Sequence, residues 1–199
     1  MAIQRYRIFR RIFKWRGYFF LPPLLVMIVC KWNEYENDLV IWSFGFSLMA
    51  LGLVIRVWAT KHIGKRVARK YKEGRKPRLV VTGPYTFVRN PLYIGNIAAM
   101  IGLSILSELV WLVPAVIAYF SLLYSLVVRY EECRLSVLFG KEYEIYQQKV
   151  PRWIPRFSTI GELKGGPFTW FQSLRGEFPG FASIFIMILI LLGKEIMSS

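Results

Sequence analysis

Long apolar stretches alternate along this chain with short segments in which almost all of the charge is collected. The apolar stretches are too long and too evenly apolar for amphipathic surface helices, and a bilayer is the environment in which they persist. Tyr18 to Trp32 reads as a first span of marginal length, interrupted by Pro22 and Pro23, and Leu39 to Thr60 as a second of adequate length. Leu92 to Leu106 is a short third span. After the break at Ser107-Glu108 the chain returns as a fourth, Leu109 to Tyr130, with Pro114 expected to kink it near its start. So small a break predicts a tight antiparallel hairpin over 92–130, packed through Gly95, Ala98, Ala99, Gly102 and Ser104. Pro179 to Gly193 is a last apolar run, which spans thinly or re-enters. The pattern predicts an all-α integral membrane protein of about five transmembrane helices, forming a single domain over residues 1–199.

The polar segments set the expected orientation. Residues 1–16 carry arginines and Lys14 among aromatic and aliphatic residues, a basic interfacial lead-in. The loop from Lys61 to Arg89 is strongly basic and has Glu73 as its single acid, whereas Glu34, Glu36 and Asp38 make the most acidic loop. The positive-inside rule then puts the N-terminus and the basic loop on the cytoplasmic side. Past Tyr130 the fourth span is expected to run on to Phe139, with Gly140 as a stop or bend. Tyr143, Tyr146 and Val150 follow on one face of a further helix, and the prolines of Val150-Pro151-Arg152-Trp153-Ile154-Pro155-Arg156 require an extended stretch. Residues 157–178 are Gly-rich, and Phe168, Trp170 and Phe171 suggest a segment lying on the membrane surface.

Composition agrees with a membrane protein: 55% of the residues are hydrophobic and the mean hydropathy is +0.38, above the roughly 45–50% apolar share of soluble domains. A net charge of +15 would suit nucleic acid, but its confinement to the inter-span segments makes anionic lipid headgroups the expected partner instead. Cys30 and Cys133 form neither a disulfide framework nor a zinc spacing, so no metal is expected. No cleavable signal pattern follows the first apolar run.

Candidate chemistry starts where the basic loop turns into the third span. Gly83-Pro84 is a turn, and Asn90-Pro91 reads as a cap followed by the first residue of a helix. The free N–H groups of that helix start, with Arg89 beside them, favour a carboxylate or phosphate. The second feature is Glu131-Glu132 at the inner end of the fourth span. A hairpin would bring both to one depth, and adjacent helix positions point about 100° apart, so that one glutamate can face a ligand while the other pairs with Arg89 or Arg134. His62, the one histidine, reads as a surface residue of the basic loop.

Taken together, these two stretches resemble the isoprenylcysteine carboxyl methyltransferase and phospholipid methyltransferase superfamily of integral membrane enzymes. The matching pieces are Gly83-Pro84-Tyr85, Val88-Arg89-Asn90-Pro91-Leu92-Tyr93-Ile94-Gly95 and Glu131-Glu132, followed by Leu135, Phe139-Gly140, Tyr143, Tyr146, Val150-Pro151-Arg152 and Pro155. The resemblance covers roughly residues 45–156, leaving 157–199 as a C-terminal extension. It implies S-adenosylmethionine-dependent methyl transfer to a lipid-like or prenylated acceptor at the cytoplasmic membrane face. Carried over by position, Tyr85, Arg89, Asn90, Pro91, Tyr93 and Gly95 form one wall of the cofactor site and Glu131 and Glu132 the other. Arg89 or Arg152 would orient a carboxylate acceptor, and Glu132 or a tyrosine would serve an amine. Many relatives carry a histidine where this chain has Asn90, an amide that hydrogen-bonds but does not titrate. Two other readings stay open: an NADPH-dependent membrane reductase with a similar Arg-x-Pro-x-Tyr-x-Gly segment, and a non-enzymatic adaptor whose basic loop binds anionic lipid.

Overall fold

A computed structural model of the chain describes residues 11–30, 38–63, 78–157 and 166–196. Residues 1–10 of the basic lead-in, Glu34 and Glu36 of the acidic loop, and the basic loop over 64–77 lie outside the described residues. All regular structure among the described residues is helical. A short helical stretch over 11–15 and a 3-10 turn, Arg16–Tyr18, lead into α1, Leu21–Val29. Then come α2, Asp38–Ile63, a second 3-10 turn, Gly83–Thr86, and α3, Pro91–Leu106. They are followed by α4, Leu112–Phe139, α5, Lys141–Lys149, and α6, Trp170–Ile196.

Four stretches are long and apolar enough to cross a membrane: Arg11–Val29, Leu39–Ile63, Leu112–Phe139 and Trp170–Gly193. The fifth apolar helix, α3, has 16 residues, about 24 Å at 1.5 Å each, short of a hydrocarbon core of about 30 Å.

Three prolines behave differently from expectation. Pro22 and Pro23 occupy the first turn of α1, where a missing N–H interrupts no hydrogen bond, so they open the helix rather than break it. Pro114 likewise falls in the first turn of α4, so its ring opposes no helix carbonyl there and calls for no kink. Pro179 lies inside α6, which starts at Trp170. The expected surface segment therefore ends at Thr169, and Trp170 to Phe178 belong to the last span.

The described residues fall into two compact units, Met1–Leu51 with Ile97–Cys133 and Ala182–Ser199, and Gly52–Asn96 with Arg134–Phe181. In the first, Gly45 of α2 and Gly102 of α3 meet backbone to backbone: a Cβ on Gly102 would lie 2.5 Å from the Met49 nitrogen and 2.6 Å from the Gly45 carbonyl oxygen. The turn between α3 and α4 is tight, with Glu108 at φ 60° and Ser107 N–H donating to the Leu103 carbonyl at 2.9 Å. Phe120 of α4 is fully buried and lies 5.4 Å from the ring of Phe20 and 5.3 Å from that of Tyr124.

In the second unit the same two helices meet again, with a Cβ on Gly95 falling 2.7 Å from the Gly52 oxygen and 2.8 Å from Arg56 Cγ. Gly95 and Gly102, seven apart, thus face α2 through Gly52 and Gly45, also seven apart. Gly95 and Gly102 of the third span serve its contact with the second span, whereas the sequence had suggested the fourth. Gly140, at φ +51°, separates α4 from α5 in a backbone region that glycine adopts at least cost. Tyr143, Tyr146 and Val150 then bury one face of α5 with Leu79, and Leu135 and Phe139 pack against them, as their spacing predicts.

Candidate functional site

The helix start at Asn90-Pro91 forms as its residues dictate: the Asn90 carbonyl accepts from the N–H groups of Tyr93 at 3.2 Å and Ile94 at 3.3 Å. What holds the approach to it is the extended stretch after α5. Arg89 N–H donates to the Pro151 carbonyl at 2.9 Å, and Arg156 N–H donates to the Phe87 carbonyl at 3.0 Å. The Asn90 side chain donates through Nδ2 to the Arg152 carbonyl at 3.1 Å. The two prolines that forbid helix over 150–156 thereby leave carbonyl groups free to receive the segment 87–90. The structure thus places the Arg152 backbone beside the Arg89-Asn90 pair.

Tyr85 is buried in the turn Gly83–Thr86 and its carbonyl accepts from the Tyr146 hydroxyl at 2.8 Å, tying that turn to α5. Pro91 and Tyr93 are buried in the first turn of α3. Gly95, two residues on, is accounted for by the close approach of Gly52 and Arg56.

Glu131 and Glu132 stand in the first unit, on α4. They differ as adjacent helix positions should. Glu132 is buried, at 7% exposure. Glu131 is partly exposed and lies 3.9 Å from an Arg16 guanidinium nitrogen. The lead-in is fixed there as well by Phe13, whose ring stands 5.3 Å from that of Tyr130 and 3.8 Å from the Arg16 guanidinium carbon. Arg16 is a partner that the pattern of Glu131-Glu132 alone does not disclose.

Two features overturn or extend the reading of the sequence. His62 is 2% exposed, not a surface residue. Its Nδ1 is 2.8 Å from Thr82 Oγ1, its Nε2 is buried without a hydrogen-bond partner among the described residues, and its ring lies against Gly83. Glu177, assigned to a surface segment by sequence, is held on α6 by Arg56 and Thr60 of α2.

The phospholipid methyltransferase family matches residues 40–142, more than half of the 199-residue chain. The chain belongs to that family. Its matched region takes in every residue singled out above from Tyr85 to Glu132. Among curated relatives of this phospholipid methyltransferase family member is a nickel-cobalt-cadmium resistance protein of Alcaligenes xylosoxydans xylosoxydans, 34% identical over 136 residues, covering 68% of this chain and 61% of the relative. A methanethiol S-methyltransferase of Crocosphaera subtropica is 27% identical over 164 residues, 70% of this chain and 60% of the relative. Protein-S-isoprenylcysteine O-methyltransferase B of Arabidopsis thaliana is 28% identical over 117 residues, 57% of this chain and 58% of the relative. The chain thus spans roughly three fifths of the length of these three relatives. No solved structure matches.

Proposed function

We propose that the chain is a membrane methyltransferase using S-adenosylmethionine, with a lipophilic acceptor methylated at the cytoplasmic membrane face. The observation that carries this reading is the bonding of segment 87–90, inside the region matched by the family, to segment 151–156 just past its end, which holds Arg89, Asn90 and the Arg152 backbone together. The donor set suits the cofactor. The Arg89 guanidinium and the start of α3 suit its carboxylate, Glu131 and Glu132 suit ribose hydroxyls or an amino group, and the Tyr85 and Tyr93 rings suit a sulfonium. Pro91 fixes the start of that wall and Gly95 seats it on α2. When bound, the cofactor supplies an electrophilic methyl group, so the task of the chain is alignment and exclusion of water. Of the two glutamates Glu132 is the buried one and the better placed to hold a ligand, while Glu131 has Arg16 beside it.

For the acceptor, Arg152 and Arg89 suit a carboxylate and Glu132 an amine. Two relatives are named for a sulfur and an oxygen acceptor, so the site type tolerates a change of nucleophile. The basic residues between spans support the cytoplasmic placement and contact with anionic headgroups. Residues 45–156 would form the methyltransferase core within one membrane domain.

The test is calorimetric titration of the purified protein in detergent with S-adenosylhomocysteine and, separately, NADPH. Binding of S-adenosylhomocysteine alone is expected. NADPH binding in its place would establish the reductase reading, and binding of neither would leave the adaptor. A lipid-extract assay with labelled cofactor then identifies the acceptor.

A further inference from the structure

Glu177 brings a carboxylate into a helix long and apolar enough to cross a membrane, and Arg56 does the same with a guanidinium from another. Charges at such positions are costly and persist when paired, and they mark places where geometry is being fixed. The pair is a two-pronged one: Arg56 donates to Glu177 Oε2 through both Nε, at 3.0 Å, and Nη2. Glu177 Oε1 accepts from Thr60 Oγ1 at 2.7 Å. The remaining arm of Arg56, Nη1, donates to Asn96 Oδ1. Asn96 is 8% exposed and follows Gly95, whose lack of a Cβ is what lets the Arg56 stem lie against α3. All of these side chains belong to one compact unit.

This arrangement constrains α3 in a way its glycine contacts do not. Contact through Gly95 sets how close α3 lies to α2 but supplies no directional hydrogen bond. A planar guanidinium with fixed donor directions admits one rotation of Asn96. Asn96 is three residues from Tyr93 and shares its face of the helix. Whatever sets Asn96 therefore sets Tyr93 and, two residues before that, Pro91.

We propose that Arg56, clamped by Glu177 of the C-terminal helix, is a positioning residue for the cofactor wall, fixing the rotation of α3. This rests on the function proposed above. It makes the helix that starts at Trp170 a working part of the methyltransferase, although it lies beyond the family's matched region. Arg56 and Glu177 touch no reacting atom in this scheme, and they act through Asn96.

The experiment compares the wild-type chain with Arg56→Met/Glu177→Met, which removes both charges together and leaves no lone buried ion, and with Glu177→Gln. Titration with S-adenosylhomocysteine is combined with amide hydrogen exchange over residues 91–96. In both variants affinity is expected to fall roughly fivefold or more, the scale of a coupled network, with faster exchange over 91–96. Arg56→Lys, which keeps the charge without the fork, is expected to restore less than half of the loss. A folded double variant with wild-type affinity and wild-type exchange overturns the proposal. If the double variant does not fold, Glu177→Gln decides in the same way. If the wild-type chain binds no S-adenosylhomocysteine, the proposed function falls, and exchange over 91–96 still decides whether the clamp fixes α3.

Discussion

The backbone N–H of Arg89 donates to the carbonyl of Pro151 across 62 positions of sequence, at 2.9 Å, and Asn90 repeats the link through its side chain to Arg152. The second bond is the one that mutation reaches. Asn90→Leu removes the amide donor and leaves the Arg152 carbonyl with one partner fewer, a loss of about 1 kcal/mol for a neutral hydrogen bond. The expected outcome is a lower melting temperature in detergent and a several-fold loss of S-adenosylhomocysteine affinity. Asn90→His, which puts a ring N–H in place of the amide, is expected to retain most of both. Equal behaviour of the leucine and histidine variants would show that the side-chain bond does not matter.

Arg89 and Glu132 are each proposed to bind the cofactor. Arg89→Ala and Glu132→Ala should each weaken S-adenosylhomocysteine binding by about tenfold or more, from loss of a charge-assisted hydrogen bond of about 1.5–3 kcal/mol. Glu131→Ala should cost less, because Glu131 is partly exposed and faces Arg16 at 3.9 Å. An exposed pair of that kind contributes between nothing and about 1 kcal/mol. Titration of the three variants checks the order, and a Glu131 loss greater than the Glu132 loss would reverse the assignment.

What could be read in the sequence is what depends on near neighbours. Asn90-Pro91 starts a helix, Gly140 ends one and Tyr143, Tyr146 and Val150 share a face, because capping, φ preference and helical period are local properties. Residues whose role is set by a distant partner were not legible. Glu177 stands in a polar, Pro-containing stretch and takes its meaning from Arg56, 121 positions away. The spacing of Gly95 and Gly102 marks a smooth face but does not say which helix covers it. His62 looked exposed because its neighbours in sequence are basic, and Thr82 and Gly83 bury it.

The glycine contacts of α2 and α3 carry their own prediction. At Gly102 a Cβ would sit 2.5 Å from the Met49 nitrogen, which is backbone and has no room to move aside without shifting a helix. At Gly45 the nearest atoms are 3.0 Å away and include the flexible Leu106 side chain. Gly102→Ala is therefore expected to destabilise more than Gly45→Ala, by about 1–3 kcal/mol as for overpacked sites. Thermal unfolding in detergent of the two single variants gives the comparison, and the opposite order would contradict the packing described.

Gly83 and His62 allow a sharper test, because two penalties at one position can be separated. Gly83 has φ +61°, a region that costs an L-residue roughly 1–2 kcal/mol, and a Cβ there would also fall 2.3 Å from His62 Nε2. Gly83→Ala should thus lose stability through backbone strain and through collision with the ring. His62→Ala alone should cost stability as well, since it opens a cavity beside Thr82 and removes the bond at 2.8 Å. In Gly83→Ala/His62→Ala the collision is gone and the strain remains. The double variant is expected to be more stable than the sum of the two single losses allows, with a coupling of about 1–3 kcal/mol for residues in contact. Strict additivity in thermal unfolding would mean that the ring does not lie on Gly83. The turn leads directly to Arg89, so Gly83→Ala should also weaken S-adenosylhomocysteine binding, and removing the ring should recover part of that loss.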